Sequence, residues 1–316
     1  SRLQRRHSPP AFQIAIIVRQ ALLGEFTRRA FLNGRMDLVQ AEAVIDIIEA
    51  ETAAGAENAV GQLGGALSRR IGAVYSSLLD LEAHFGAVLD YPDEDIEPFE
   101  AEECRIALSS AAEELRQILG TFERGRIMRE GVRAALIGRP NAGKSSLMNA
   151  LLGYERAIVT NMPGTTRDTI EEKAVLGGVT VRLTDTAGLR EAEGEAERLG
   201  VERARSAAEG AELVIAVFDG SAPLTEEDEE TLAAARAAKR AIAVISKRDL
   251  PAALSAADLG GGFNAVVELS SRTLEGVDGL CAAIARLFPS PAAPAGEILT
   301  NARQAEAARR ALGSVE

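Results

Sequence analysis

Residues 138–146 read Gly-Arg-Pro-Asn-Ala-Gly-Lys-Ser-Ser, which is the spacing of a phosphate-binding loop. The segment before this loop, Val132–Ile137, has the length and branching of a buried strand. After the loop, Leu147, Leu151 and Leu152 recur at helical spacing. A strand, a glycine turn and a helix start would place a row of backbone N–H groups around an anion. A chance glycine-rich turn is the alternative, so the downstream residues must decide.

The chemistry of such a loop depends on two side chains. Lys144 would reach the terminal phosphates of a nucleotide as a point charge, and the Ser145 hydroxyl would bind Mg²⁺ directly. Thr166, in the loop at residues 164–168, can complete the metal site when a triphosphate is bound. Asp185 ends an alternating apolar strand and can hold the water shell of the metal, while Gly188 lets a backbone N–H approach the γ-phosphate.

Two further strand ends predict recognition of a guanine base. Asp249 follows the strand Ala241–Ile245, and its carboxylate can accept from the two N–H donors on one edge of guanine. Adenine has no matching pair of donors. Residues 270–272, Ser-Ser-Arg, follow the strand Val266–Leu269 and can close over the base. Five such segments in order, each at the carboxyl end of a strand, indicate a guanine-nucleotide site in an open α/β sheet.

The predicted nucleotide contacts form one set of residues drawn from these segments. They are Asn141, Ala142, Gly143, Lys144, Ser145, Ser146, Thr160, Asn161, Met162, Pro163, Gly164, Thr165, Thr166, Asp185, Thr186, Ala187, Gly188, Ser246, Lys247, Asp249, Ser270, Ser271 and Arg272.

Length and composition restrict the class of protein. The 316 residues have room for two domains, and the net charge of −12 argues against non-specific nucleic-acid binding through a general basic face. Cys104 and Cys281 lack disulfide or zinc spacing, so we expect two core thiols and a reducing cytoplasm. The apolar run Ala11–Val18 is too short to span a bilayer, and we expect no membrane association.

Residues before the phosphate-binding loop predict long helices from about Asp37 to Phe122, interrupted at Tyr91-Pro92 because proline cannot continue the helix. Apolar residues at a 3.5-residue period favour either a platform or dimer interface, or an ordinary bundle core. They are Val60, Leu63, Leu67, Ile71, Val74, Leu78, Leu81, Phe85 and Val88, then Cys104, Leu108, Ala111, Leu115, Ile118 and Phe122.

Residues after the loop predict alternating strands and helices and therefore a mainly parallel sheet. We expect a strand at Leu213–Asp219, a solvated acidic first turn at Glu226–Glu230, and a closing helix marked by Val277, Leu280, Ile284 and Leu287. Helix resumes at Asn301–Leu312. The predicted fold is a P-loop GTPase-type α/β domain (131–289) inserted into an α-helical bundle (36–125 and 297–316), after a remnant of an earlier domain (1–35).

The chain resembles the tRNA-modification GTPases of the MnmE (TrmE) family. The matching segments are Gly24–Arg35, Gln40–Ala43, Tyr91–Asp95 and the nucleotide domain through Asn301-Ala302-Arg303. The resemblance implies hydrolysis of GTP, dimerisation through a folate-binding domain, transient pairing of the nucleotide domains, and a flavin-dependent partner with which the wobble uridine of tRNA is modified. It also places Arg35 at a contact to methylene- or formyl-tetrahydrofolate; a solvated surface arginine is the preferred alternative.

Three departures from the family qualify that reading. Residues 1–23 do not match the folate-binding domain, and the family's terminal Cys-x-Gly-Lys is absent, so we expect a chain truncated at both ends. Ser246 stands where most members have Asn, which bonds the base and braces the phosphate loop. The loss of one such hydrogen bond should weaken GTP binding by roughly 0.5–1.5 kcal/mol.

Hydrolysis would need a device other than the usual glutamine, because Leu189 occupies that place. Asn141 lies where K⁺-dependent GTPases supply an oxygen ligand, and the Thr160 and Met162 carbonyls with Thr165 could complete a K⁺ site. Such a cation could replace an arginine finger, which is worth about 10³–10⁵ in rate. The resemblance selects Glu197 to position the attacking water, among several nearby acids that could equally be solvated charges.

Two alternatives remain open from the sequence. An Era-like GTPase of ribosome assembly would share the nucleotide motifs, but it usually carries a basic RNA-binding domain after them. A truncated nucleotide-binding fragment without tRNA-modification activity would share everything described above. Co-purification with ribosomal subunits would favour the Era-like alternative, and co-purification with a flavoprotein would favour the tRNA-modification reading. Restoration of the wobble modification in a deletion strain would distinguish the full enzyme from a truncated fragment.

Overall fold

A computed structural model of the chain describes residues 20–91, 101–154, 171–185, 208–289 and 293–316. The helices are α1 (Glu25–Leu32), α2 (Leu38–Glu49), α3 (Ala53–Leu63), α4 (Ala66–Asp90), α5 (Ala101–Gly120), α6 (Phe122–Glu130), α7 (Lys144–Tyr154), α8 (Glu226–Ala237), α9 (Val277–Leu287) and α10 (Ala302–Val315). The strands are β1 (Val132–Ile137), β2 (Glu171–Leu176), β3 (Val179–Asp185), β4 (Leu213–Asp219), β5 (Ala241–Ser246) and β6 (Ala265–Glu268).

The six strands form one sheet in the order β2-β3-β1-β4-β5-β6. Only the β2–β3 pair is antiparallel; the other neighbours run parallel. The predicted α/β fold is therefore confirmed. The strands at Val132–Ile137 and Leu213–Asp219 lie where the sequence predicts them, whereas the last strand is Ala265–Glu268, one residue earlier than predicted.

The sheet is covered on both faces, which is why its central strands are apolar without interruption. All seven residues of β4 and all six of β5 are buried. Alternate residues of β4 enter different cores: Leu213, Ile215 and Val217 face the α7 and α9 side, and the residues between them face the α8 side. Because β1, β3, β4, β5 and β6 run parallel, their carboxyl ends lie along one edge of the sheet.

The helices before and after the sheet pack on one another through small apolar clusters. One cluster joins Leu67 of α4, Ile118 of α5 and Ala305 of α10. A second joins Val74 of α4 to Ala111 and Leu115 of α5. Part of the predicted apolar seam is thus a bundle core.

The prediction of one uninterrupted seam from Val60 to Val88 is wrong. Helix α3 ends at Leu63 and α4 begins at Ala66, because Gly65 between them adopts a left-handed backbone with φ 79°. Val60, the first residue of the predicted seam, is 58% exposed. The predicted domain boundaries themselves stay a prediction.

The prediction of a solvated acidic turn at Glu226–Glu230 is wrong for one residue. Asp228 is only 1% exposed, because it accepts hydrogen bonds from the Thr225 N–H and hydroxyl at the start of α8, both at 3.0 Å. This capping arrangement turns the carboxylate inward, toward the phosphate-binding loop. Within the described ranges, no helix combines the length and the apolar character needed to cross a membrane.

Candidate nucleotide-binding site

The phosphate-binding loop connects β1 to α7, as the sequence predicts. Gly138 leaves the strand with φ 149°, and a Cβ atom there would lie 2.4 Å from the Val217 carbonyl oxygen. A Cβ atom on Gly143 would lie 3.3 Å from the Ser246 hydroxyl. The two glycines of the motif therefore allow the loop to pack directly against the ends of β4 and β5.

Lys144 is held inside this loop. Its ammonium donates to the carbonyl oxygens of Gly138 at 2.7 Å and Arg139 at 2.9 Å, and the residue is 9% exposed. Ser145 and Ser146, the next residues of α7, are exposed, as is Asn141 at a left-handed φ of 62°. The loop thus surrounds one buried cation and leaves hydroxyl and amide oxygens open to a ligand.

Ser246 connects the loop to the neighbouring strand ends. Its hydroxyl is buried and lies 2.6 Å from the Ala142 carbonyl oxygen and 2.9 Å from that of Phe218. Ser246 therefore braces the phosphate-binding loop, a role that the family resemblance attributes to asparagine. Its effect on nucleotide affinity stays a prediction.

The two segments predicted to recognise the base lie together. The Ser270 hydroxyl donates to the Asp249 carboxylate at 2.7 Å, and the Arg272 guanidinium pairs with its other oxygen at 2.9 Å. The bond from Ser270, with the charge of Arg272, lowers the pKa of Asp249 despite partial burial. Asp249 is therefore an ionised acceptor at neutral pH, as hydrogen bonding to guanine N–H groups requires. Ser271 is half-buried beside it.

Sequence reasoning missed a group of charges beneath these segments. Asp219, the last residue of β4, is 9% exposed and accepts from the Lys247 ammonium at 2.7 Å. Arg139 lies 3.8 Å from the same Asp219 oxygen and 3.2 Å from the buried Asp228 carboxylate. The only signal in the sequence was the position of Asp219 at a strand's carboxyl end, where open α/β sheets place functional side chains.

Several predicted site residues lie outside the described part of the chain. They are Thr160, Asn161, Met162, Pro163, Gly164, Thr165, Thr166, Thr186, Ala187, Gly188 and Glu197. Asp185 ends β3 beside Leu136 of β1, next to the loop, although its side chain also lies outside that part. The predicted ligand sets for Mg²⁺ and K⁺ therefore stay predictions. Arg35 is exposed, and its proposed folate contact also stays a prediction.

The fold and the site together define a P-loop nucleotide-binding domain of the GTPase type, joined to a helical domain. The family model described as the MnmE helical domain matches residues 38–316. The chain belongs to the MnmE family.

Curated relatives agree with the family model. The chain is 46% identical over 309 residues to the tRNA modification GTPase MnmE of Roseiflexus sp. strain RS-1, covering 94% of this chain and 66% of the relative. It is 47% identical over 290 residues to the protein of the same name from Symbiobacterium thermophilum, covering 91% of this chain and 63% of the relative. The chain thus spans just under two thirds of the length of these relatives.

Among solved structures, an Aquifex aeolicus Era variant bound to GDP·AlF₄⁻ is 26% identical and covers 52% of this chain and 59% of its own, with a TM-score of 0.38. That score is too low to relate the two molecules in detail, so the sequence matches alone define the family.

Proposed function

We propose that this chain binds and hydrolyses GTP and takes part in modification of the wobble uridine of tRNA. The observation that carries the first part is the placement of ionised Asp249, fixed by Ser270, at the same sheet edge as the lysine-containing loop. A base acceptor and a phosphate cradle at one edge match a guanine nucleotide. The name of the relatives, tRNA modification GTPase, supports the second part.

The phosphates would bind at the amino end of α7, where backbone N–H groups and the helix dipole favour an anion. Lys144 would exchange the carbonyl oxygens of Gly138 and Arg139 for phosphate oxygens, at little cost because its ammonium already lies inside the loop. The exposed hydroxyl of Ser145 suits Mg²⁺, which takes oxygen ligands and, when bound, neutralises developing charge on the β- and γ-phosphates. Thr166 is its proposed second ligand.

For hydrolysis, we propose that Asn141 is an oxygen ligand of K⁺, because its amide is exposed at the rim of the loop. The Thr160 and Met162 carbonyls and Thr165 would complete this site, which would supply positive charge between the phosphates. Glu197 would orient the attacking water. Lys144, Asn141 and Glu197 are the proposed catalytic residues.

Base recognition gives the sharpest test. Calorimetric titration of the full chain should show binding of GDP and GTP and no binding of ADP at the same concentrations. In Asp249→Asn, the amide can donate to the 2-oxo group of xanthine, so the preference should change from GDP to xanthosine diphosphate. Glu268→Gln is a matched control, because it also neutralises one carboxylate, but that carboxylate is exposed at the end of β6 and pairs with Arg248 at 3.0 Å. An unchanged preference in Asp249→Asn would refute the assignment.

Catalysis is tested by steady-state hydrolysis in K⁺ and Na⁺ buffers over a range of protein concentration. Removing the Lys144 ammonium should lower kcat by roughly 10²–10³, the effect of losing one donor to developing charge. Asn141→Ala should remove the difference between the two cations. Equal rates in both buffers for the unmodified chain would contradict the K⁺ proposal.

The proposed partners are GTP, tRNA, a flavin-dependent modification enzyme and a second copy of the chain, with a tetrahydrofolate bound where the folate domain is complete. The chain spans just under two thirds of its relatives' length, so the tRNA reaction needs its own test. Restoration of the wobble modification in a deletion strain would support it, and nucleotide binding without restoration would favour a nucleotide-binding fragment. Cys104 and Cys281 are not joined in a disulfide, which suits the reducing cytoplasm that we propose as the location.

A further inference from the structure

One buried carboxylate, that of Asp219, lies between the phosphate-binding loop and residues 246–249, the base-recognition turn. The Asp219 oxygen Oδ2 accepts from the Lys247 ammonium at 2.7 Å and lies 3.8 Å from the Arg139 guanidinium. Arg139 belongs to the phosphate-binding loop, and Lys247 lies two residues before Asp249. A single oxygen atom therefore faces one cation from each half of the proposed site.

The surroundings of Asp219 keep its carboxylate ionised and fixed in position. Its second oxygen accepts from the Ser221 N–H at 2.9 Å and from the Ser221 hydroxyl at 2.6 Å. Burial alone would raise the pKa of Asp219, but the hydrogen bonds from Lys247 and Ser221 outweigh burial and lower it. The strand register places Asp219 beside Ser246, so the carboxylate also lies next to the hydroxyl that braces the loop.

The two cations are held in place by more than Asp219. Arg139 has a second anionic neighbour, Asp228, whose Oδ2 lies 3.2 Å from the guanidinium Nε and whose side chain is 2% exposed. Lys247 has a left-handed backbone conformation with φ 56°, which non-glycine residues rarely adopt. This conformation sets the direction in which its side chain leaves the turn. This conformation points Lys247 at Asp219, and movement of either partner would disturb the other.

We propose that Asp219 is a positioning residue that couples the phosphate-binding loop to the base-recognition turn through Arg139 and Lys247. The inference rests on the proposed nucleotide function and adds a specificity determinant to it. Asp219 acts through its two cations, so its loss affects how well Asp249 reads the base as well as how tightly the phosphates bind.

The test compares GDP with inosine diphosphate, which lacks the exocyclic amine that Asp249 would recognise. Dissociation constants are measured by calorimetry on the full chain, for the unmodified protein, Asp219→Asn and the control Glu268→Gln. The asparagine carbonyl can keep the bonds from Ser221, so the substitution removes chiefly the charge that faces Lys247 and Arg139. We expect GDP binding to weaken about tenfold, the effect of one charge-assisted hydrogen bond, and the preference for GDP over inosine diphosphate to fall severalfold. The control should stay within about twofold, since it removes only an exposed ion pair.

A double-mutant cycle gives a second measurement. In the unmodified background, Arg139→Gln and Lys247→Gln should have non-additive effects on GDP affinity, because both side chains face the same oxygen. In the Asp219→Asn background the two effects should add. The cycle remains informative if Asp219→Asn folds poorly, because additivity in the unmodified background would itself overturn the inference.

The outcomes separate this inference from the function on which it rests. If the unmodified chain binds neither nucleotide, the proposed function fails. If it binds GDP, and Asp219→Asn lowers the melting temperature or the active fraction while the base preference per active molecule is unchanged, Asp219 is merely structural and only the present inference fails.

Discussion

The sheet and the helices of this protein are held together by different kinds of contact. The sheet buries two continuous apolar cores, one on each face. In the described part of the helical region the buried apolar clusters are small, and several long-range contacts are buried polar bonds around residues 293–301. Asn58 of α3 accepts from the Gly296 N–H at 2.8 Å, and Gln62 donates to the Ile298 carbonyl oxygen at 2.6 Å.

This difference shows how one chain can serve two requirements. A close-packed apolar sheet holds strand ends rigidly, as a nucleotide site requires. The backbone of residues 293–301, the returning segment, is bound to α3 by polar contacts. Such contacts depend on direction as well as area, so they fix the register of that segment. Arg70 of α4 adds to them by pairing with Glu114 and, at 3.2 Å, with Glu297. We therefore expect sequence changes at the returning segment to be less tolerated than conservative changes in the sheet.

The largest expected effect is that of Gly125→Ala in α6. A Cβ atom there would lie 2.0 Å from the Leu299 carbonyl oxygen, so α6 and the returning segment would have to separate. We expect a loss of about 3 kcal/mol or more in the free energy of unfolding, measured by urea denaturation, the upper range for overpacking. Gly72→Ala in α4 is the matched control. Nothing lies within 4 Å of its added Cβ atom, so the helix should gain about 1 kcal/mol. Equal effects of the two substitutions would contradict the tight contact.

A smaller effect is expected from Asn58→Leu, which has the same branched arrangement of heavy atoms but no polar atoms in its side chain. The Gly296 and Ile298 N–H groups would lose their acceptor in a buried place, where each costs about 1–3 kcal/mol. We expect a total loss of about 2–4 kcal/mol. For comparison, Ile215→Val in the sheet core should cost about 0.5–1.5 kcal/mol. If the sheet substitution proved the more damaging, the proposed difference in tolerance would be wrong.

The smallest expected effect is a pH dependence of the free energy of unfolding, which has opposite signs for Glu212 beside the sheet and Asp46 in the helical region. Burial alone would raise the pKa of Glu212 at the start of β4, but hydrogen bonds from the Arg126 side chain and the Arg133 N–H lower it. Its contribution is present above the unfolded pKa of about 4.3 and is lost as pH falls. Glu212→Gln should therefore cost about 1 kcal/mol at pH 7 and nothing in strong acid.

In the helical region, burial raises the pKa of Asp46, although Arg129 and Thr300 oppose it. A raised pKa means that the stability is greatest when Asp46 is protonated and falls as pH rises through the folded pKa. The change in the free energy of unfolding caused by Asp46→Asn should therefore be less favourable in acid than at pH 7. The change caused by Glu212→Gln should be less favourable at pH 7 than in acid. Unfolding measured from pH 3 to pH 7 would show the two trends, and parallel curves would refute the assignment.

The sheet could be read from the sequence because each strand is a local apolar run. Leu213–Asp219 needs no knowledge of its neighbours to be recognised as a buried strand. The phosphate-binding loop is likewise local, since its glycines, lysine and serine are close in sequence. The base-recognition residues Asp249 and Ser270 were found through the same pattern of strand ends.

The remaining features could not be read because they depend on pairs distant in the chain. Asp228 looks like a solvated helix-capping acid until the fold places Arg139 beside it. The seam at Val60 keeps its helical period through Gly64-Gly65, so periodicity alone does not reveal the turn. Arg139, Asp219 and Lys247 come from three different segments, and no spacing relates them.

Asp46 contacts both covalent connections between the sheet and the helices. Arg129, just before β1, lies 2.9 Å from its carboxylate, and the Thr300 hydroxyl, in the returning segment, donates to it at 3.2 Å. The chain therefore leaves and re-enters the bundle at one place. Because both crossings contact the same carboxylate, a change at Asp46 would affect the exit of the chain from the bundle and its return together.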